Sequence, residues 1–427
     1  MYLNLNRRQL LLGGSALMAS TWLSPILAQD EQLRVIFWGN QDRADRTFKV
    51  MDAFGEDMGI AMAGEFLAFA DYWPKLATQT AAGTAPDVVQ MDGAGRYIAE
   101  YASRGAIAPL DEFIGKELDF AQFDQDQVEA GKVNDTLYAV SLGSNAFGMI
   151  VDTTPFEAAG VDIPGPQTTL DDLYAIAESF KSAGVAQAVT DDRSGSWAAL
   201  ENWLRQQSKA LYTSDGELGF DAADMAGWLN LWKGFRDAGV CVSPEVQAMM
   251  EGPGTSPLIM GKSATMAEFS NLMSAYQALT TSPLVLTNFP RISLDAPGGY
   301  YRRPSMFFSI SSTSSRKADA ARFINFFVND VEANTILNAE RGIPPSAAVR
   351  DGIAGMLEDS ARAAVTYVGG LEPLLSPPPP QSPSGGGEIN ESLLAFAAQE
   401  AAFGVRPPEA VAADFIAAAQ EALERAG

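Results

Sequence analysis

The side chains available for chemistry in this chain are carboxylates, amides, arginines and aromatic rings. Its 427 residues include no histidine and one cysteine, Cys241. Ser-His-Asp and Cys-His nucleophile arrangements are therefore excluded, as are His- or Cys-rich zinc sites. A single cysteine also rules out an intrachain disulfide. Cys241 stands in the apolar run Ala238-Gly239-Val240-Cys241-Val242, the setting of a buried and inert thiol. Two uses of the remaining groups stay open. Paired carboxylates could act as general acid and base, or carboxylates and amides could take ligand hydroxyls while aromatic rings cover apolar ligand faces. The charge balance is 29 Lys and Arg against 53 Asp and Glu, a net −24. Nucleic acid is excluded as a partner, because polyanion binding draws its affinity from cationic side chains.

The elements that must position these groups follow an α/β rhythm. Leu33 to Trp38 reads as a strand ended by Gly39-Asn40, and a helix is expected from Arg43 to Met58. A second strand spans Gly64 to Ala68, a helix Tyr72 to Ala82, and a third strand Asp87 to Asp92. Strand, helix, strand, helix, strand predicts a parallel layer, in which ligands sit beyond the carboxyl ends of the strands. Asn40, Gln41 and Asp92 occupy those ends and are candidate ligand contacts. Ordinary turn chemistry for the first two, and a helix cap for Asp92, are the structural alternatives.

Further along, strands are expected at Leu137–Val140, Phe147–Val151, Ser263–Met266, Leu284–Leu286 and Ser305–Ile310. Helices are expected at Leu170–Ala183, Ala198–Gln207, Ala222–Ala238 and Ala318–Leu337. Pro373 to Gly387, with its four consecutive prolines at 377–380, cannot be helical. Two alanine-rich helices, about 390–403 and 408–426, follow it.

Residues 1–28 read as a targeting signal. Arg7 and Arg8 precede an apolar run from Leu10 to Leu23 that is short for a membrane span, and Ala28 offers a cleavage point. The arginine pair with Gln9-Leu10-Leu11 fits twin-arginine export; a Sec signal with adjacent arginines is the alternative. No cysteine stands near Ala28, so the expectation is a soluble periplasmic protein and not a lipoprotein.

The run Gly83-Thr84-Ala85-Pro86-Asp87-Val88-Val89-Gln90-Met91-Asp92 resembles the family 1 extracellular solute-binding proteins of ABC importers, the maltose-binding type included. The likeness continues at Tyr101 to Asp111, Thr136 to Gly143, Phe156 to Val161, Leu170 to Leu173, Gly261 to Met266, Ala296 to Gly299 and Asn329 to Pro344, in the family's order. It implies two α/β lobes joined by hinge strands, with a ligand clamped between them by lobe closure. By analogy the first lobe comprises 29–111 and 287–328, and the second 112–286 and 329–427. It also implies a monomer without a cofactor, delivering a mono- or oligosaccharide to permease subunits in the inner membrane.

The resemblance points to Asn145 at the second lobe's side of the cleft and to Glu268 after the Gly261–Met266 block. The maltose-binding type has tryptophan at that second position, so Glu268-Phe269 departs from the pattern. Tyr72 could supply an aromatic wall or begin the inner face of its helix, and Trp197 could stack on a sugar or serve as core. Tyr300 and Arg302 follow a Gly-Gly turn on the hinge side, and Arg341 precedes Gly342-Ile343-Pro344. Guanidinium forks hold planar anions, so an arginine reaching the cleft would suit an acidic sugar; ion pairing is the alternative. Two other functions fit the residues: an exported carbohydrate-active enzyme using Asp92 and Glu268, and a binding protein for a non-sugar solute such as a polyamine.

Overall fold

Two β-sheets organise the chain, each under its own hydrophobic core. The computed structural model describes residues 32–93, 96–380 and 382–426; the expected targeting segment lies outside the described residues. The first sheet has five strands in the order β2-β1-β3-β11-β6: β1 (Leu33–Trp38), β2 (Met62–Leu67), β3 (Val88–Asp92), β6 (Val140–Asn145) and β11 (Arg303–Ile310). Strands β1, β2 and β3 run parallel, and β11 lies antiparallel between β3 and β6. Five of the six residues of β1 are buried, as expected where helices cover both faces of a parallel sheet. The second sheet, ordered β10-β7-β9-β8, comprises β7 (Phe147–Asp152), β8 (Ala188–Thr190), β9 (Ser263–Phe269) and β10 (Leu284–Thr287). The expected strand at 137–140 resolves into two elements. A two-residue ladder pairs β4 (Lys132–Val133) with β5 (Thr136–Leu137) across Asn134 and Asp135. Both turn residues have positive φ, the conformation a tight hairpin of this kind needs.

The lobes divide elsewhere than the resemblance implied. Phe113, Leu118, Leu137 and Val140 pack into the first core, and β6 pairs with β11. The first lobe therefore continues past Asp111 to Asn145, and the chain crosses at Ala146, the single residue between β6 and β7. The second crossing is the segment 288–302 between β10 and β11. The helix expected from Ala318 to Leu337 is two helices, Lys317–Asn329 and Val331–Leu337, because the Asp330 carboxylate accepts from the Ala333 N–H at 2.8 Å and caps the second. Phe327 and Leu337 both stay in the first core, so the third crossing falls near Ile343 and not at Val328. Ala146, Tyr300 and Ile343, one from each crossing, share a small core with the helices Ala347–Ile353 and Asp359–Gly369. Backbone bonds of 2.8 Å between Ser144 and Ile343 tie two of the crossings together.

Candidate functional site

The expected residues on the first lobe meet local demands. Asn40 is the N-cap of the helix Gln41–Met58, and its side-chain oxygen accepts from the Arg43 N–H at 2.9 Å. Gln41 is exposed, and its amide donates to Asp45 one turn on, at 2.8 Å. Tyr72 is wholly buried against Trp38, with ring centres 4.7 Å apart, and its hydroxyl donates to the Gln90 carbonyl at 2.7 Å. It is a core residue, which corrects the expectation of a ligand contact. Tyr300 is corrected for the same reason: it is 1 % exposed and donates to the Phe289 carbonyl at 2.9 Å. Arg341 is also 1 % exposed. It sits inside the first lobe, donating to the Thr47 hydroxyl at 2.8 Å, with its guanidinium over the rings of Phe327 and Phe37. Burial lowers its proton affinity to a value of about 9, and Glu340 beside it opposes that shift. Arg341 therefore does not reach the cleft.

Asp92 ends β3 opposite Met306 of β11, and Asn145 ends β6 opposite Arg303. Between them, Gly93 passes so close to β11 that a Cβ would stand 2.3 Å from the Pro304 carbonyl oxygen. Only glycine lets the chain leave β3 there.

A cavity of about 360 Å³ opens at this point between the lobes. The first lobe contributes Gly93, Asp126, Arg303 and Phe307; the crossing contributes Tyr301 and Arg302; the second lobe contributes Trp197, Glu201, Tyr212 and the prolines 378–380. One helix, Trp197–Arg205, brings Trp197 and Glu201 to the second lobe's wall. Ser196 caps it by accepting from the Ala199 N–H at 3.4 Å, and Trp197, Glu201 and Arg205 recur at four-residue spacing along one face. Glu201 accepts from the Tyr301 hydroxyl at 2.9 Å, and Arg205 lies over the Tyr301 ring. Burial raises the Glu201 carboxyl above its ordinary range, opposed by that hydrogen bond. Arg302 lines the cavity but is engaged by Asp124 and Asp126, both at 3.0 Å, and by Glu372 at 3.3 Å. Arg303, which begins β11, lies with its guanidinium carbon 5.2 Å from the Trp197 ring centre and 5.6 Å from that of Phe269.

A second cavity, about 490 Å³, adjoins the first and shares Trp197 and Glu391 with it. It belongs to the second lobe, lined by the loop 192–196, Gln247, Glu268, Phe269, Gln399 and Phe403. Trp228 fixes that loop by donating to the Ser194 carbonyl at 2.8 Å. Arg193 bridges Asp191 at 2.6 Å and Glu268 at 3.2 Å, and the other Glu268 oxygen accepts from the Phe269 N–H at 2.9 Å, so Glu268 is at the wall with both oxygens engaged. Burial pushes the Asp191 carboxyl up to about 6 against the pull of Arg193.

The structure thus brings Trp197, Glu268 and Arg302 to cavity walls and Asp92 and Asn145 to the adjoining strand ends. Sequence reasoning missed Glu201, Tyr212, Tyr301, Arg193 and the proline wall as lining residues. The four-residue spacing from Trp197 was a signal for Glu201, and Tyr301 stands in sequence beside Arg302 and Arg303, with which it lines the cavity. Among the described residues no group of His, Cys, Asp and Glu could hold a metal ion.

Two lobes, three crossings and a walled cavity between them define the architecture of a two-lobed periplasmic solute-binding protein. The chain belongs to the bacterial extracellular solute-binding proteins, whose family model matches residues 49–364. It is similar to an extracellular solute-binding protein family 1 member from Alicyclobacillus acidocaldarius, at 28% identity and a TM-score of 0.83, over 92% of this chain and 98% of that one. A periplasmic oligogalacturonide-binding protein from Yersinia enterocolitica shares the fold at 22% identity and a TM-score of 0.73, over 92% and 99% of the two chains. A designed esterase does so too, at 22% identity and a TM-score of 0.78, over 93% and 99%.

Proposed function

We propose that the protein captures a carbohydrate between its lobes and delivers it, by lobe closure, to the permease of an ABC importer. The observation that carries this reading is the interlobe cavity, where aromatic faces (Trp197, Tyr301, Phe307) alternate with carboxylates and amides. A pyranose offers apolar C–H faces and a rim of hydroxyls, and such a wall answers both. The adjoining cavity across Trp197 leaves room for more than one sugar unit. The Yersinia relative, which binds oligogalacturonide, supports an oligosaccharide as cargo. Export to a periplasm rests on the arginine pair and apolar run before Ala28. The lobes contribute binding and closure, with no bond made or broken.

A thermal-shift screen of residues 29–427 against neutral sugars, uronates, polyamines and oligosaccharides tests this. A ligand at 100 times its dissociation constant stabilises by about 2.7 kcal/mol, so one sugar class should raise the melting temperature. Shifts from polyamines alone, or sugar consumed during incubation, would overturn it.

A further inference from the structure

Arg303 is placed differently from the other arginines near the cleft. Arg302 is held by three carboxylates and Arg193 by two. Arg205 donates to the carbonyls of Gly299 and Pro377. Arg341 is buried in the first lobe. Arg303 is half-buried at the cavity wall with its guanidinium over the faces of Trp197 and Phe269, and its charge acts on the Glu201 carboxyl and the Tyr301 hydroxyl without a hydrogen bond or ion pair to either. A guanidinium covered on its face keeps its N–H donors along its edge, where a planar carboxylate can accept two of them. The nearby carboxylates have other partners: Glu201 accepts from Tyr301 and Asp126 from Arg302. The rings lower the local dielectric around this cation, and a charge-assisted pair is stronger there than in water.

We propose that the cargo is an acidic sugar and that Arg303 takes its acid group edge-on. The proposal rests on the carbohydrate reading above and adds the charge of one sugar unit. Trp197 and Phe269 act as positioning residues that fix the plane of the guanidinium; Glu201 and Asn145 remain for hydroxyls. A carboxylate matches the two-donor edge best, and a sulfonate offers the same oxygen pair, so both enter the test.

Calorimetric titration of residues 29–427 separates the possibilities. The probes are the glucuronate and galacturonate disaccharides, 6-sulfonated glucose, and the neutral counterpart of each, in which a primary alcohol replaces the acid. An acidic probe should bind at least about tenfold more tightly than its neutral counterpart. Arg303→Gln should bring the two within about twofold, and Arg303→Lys, which keeps the charge but not the fork, should fall between. In the unaltered protein, raising salt should weaken the acidic probe more than the neutral one, a readout that does not require the variants to fold. Equal binding of acidic and neutral probes, or a preference that survives Arg303→Gln, overturns the assignment while leaving sugar capture standing. Binding of no probe, acidic or neutral, overturns the carbohydrate reading with it.

Discussion

The strand ends of the first sheet and the wall supplied by the second lobe both held expected ligand contacts, and they are built differently. On the first lobe, Asn40 caps a helix, Gln41 reaches along it, and Tyr72 is sealed beneath Trp38 by its bond to Gln90. Asn40 satisfies a backbone N–H, Gln41 pairs with the Asp45 carboxylate, and Tyr72 fills the core. On the second lobe, the helix Trp197–Arg205 turns one face to the cleft, and the loop before it is fixed by Trp228. There the backbone is satisfied by other residues, and Trp197 and Glu201 line open space. A position at a strand end marks a functional side chain only when the local fold does not already need it.

Substitutions on the two sides should separate stability from affinity. Tyr72→Ala removes a buried aromatic and should destabilise by about 3–5 kcal/mol in urea unfolding. The sugar affinity of the remaining folded protein should be unchanged; lost affinity in a folded variant would return Tyr72 to the site. The charged cluster behind the second lobe's cavity should appear in the pH dependence. Asp191 titrates near 6 when folded and near 3.8 when unfolded, so between those values the folded state holds a proton that the unfolded state has released. Its contribution is full below about pH 4 and is lost as pH rises through 6, a change of about 3 kcal/mol. Unfolding at pH 4 and pH 7 should show that loss in the wild type and a flatter response in Asp191→Asn.

Trp197→Ala should reverse the pattern of Tyr72→Ala. Affinity for the sugar should drop about thirtyfold, or ~2 kcal/mol, with less than half the stability loss of the tyrosine variant. The smallest effect is expected at the helix cap. Asn40→Ala should cost about 1 kcal/mol of stability and leave the titrated affinity within about twofold. A larger affinity change would mean that the capping oxygen also serves the ligand.

Much of the fold was legible because its signals are local. The apolar run Leu33–Trp38, its Gly39-Asn40 stop and the Asp87–Asp92 strand each declare themselves within ten residues. The lobe boundaries did not, because membership in a sheet depends on a distant partner. Val140–Asn145 joins the first lobe's sheet through its pairing with β11, more than 150 residues later. The site was legible in part. Arg302 and Arg303 stood side by side in the sequence, and which one faces the cavity free of ion pairs was decided by Asp124, Asp126 and Glu372, none of them a neighbour in sequence. Arg341 looked like a cleft residue because it lies at a crossing, yet its side chain turns into the first lobe to meet Thr47.

The claim on which everything else depends is that ligand sits between the lobes and draws them together. Small-angle X-ray scattering of residues 29–427, with and without a saturating sugar taken from the thermal-shift screen, tests it directly. A smaller radius of gyration with sugar bound is the predicted result. An unchanged radius at demonstrated saturation would contradict it, and would place the ligand on one lobe alone.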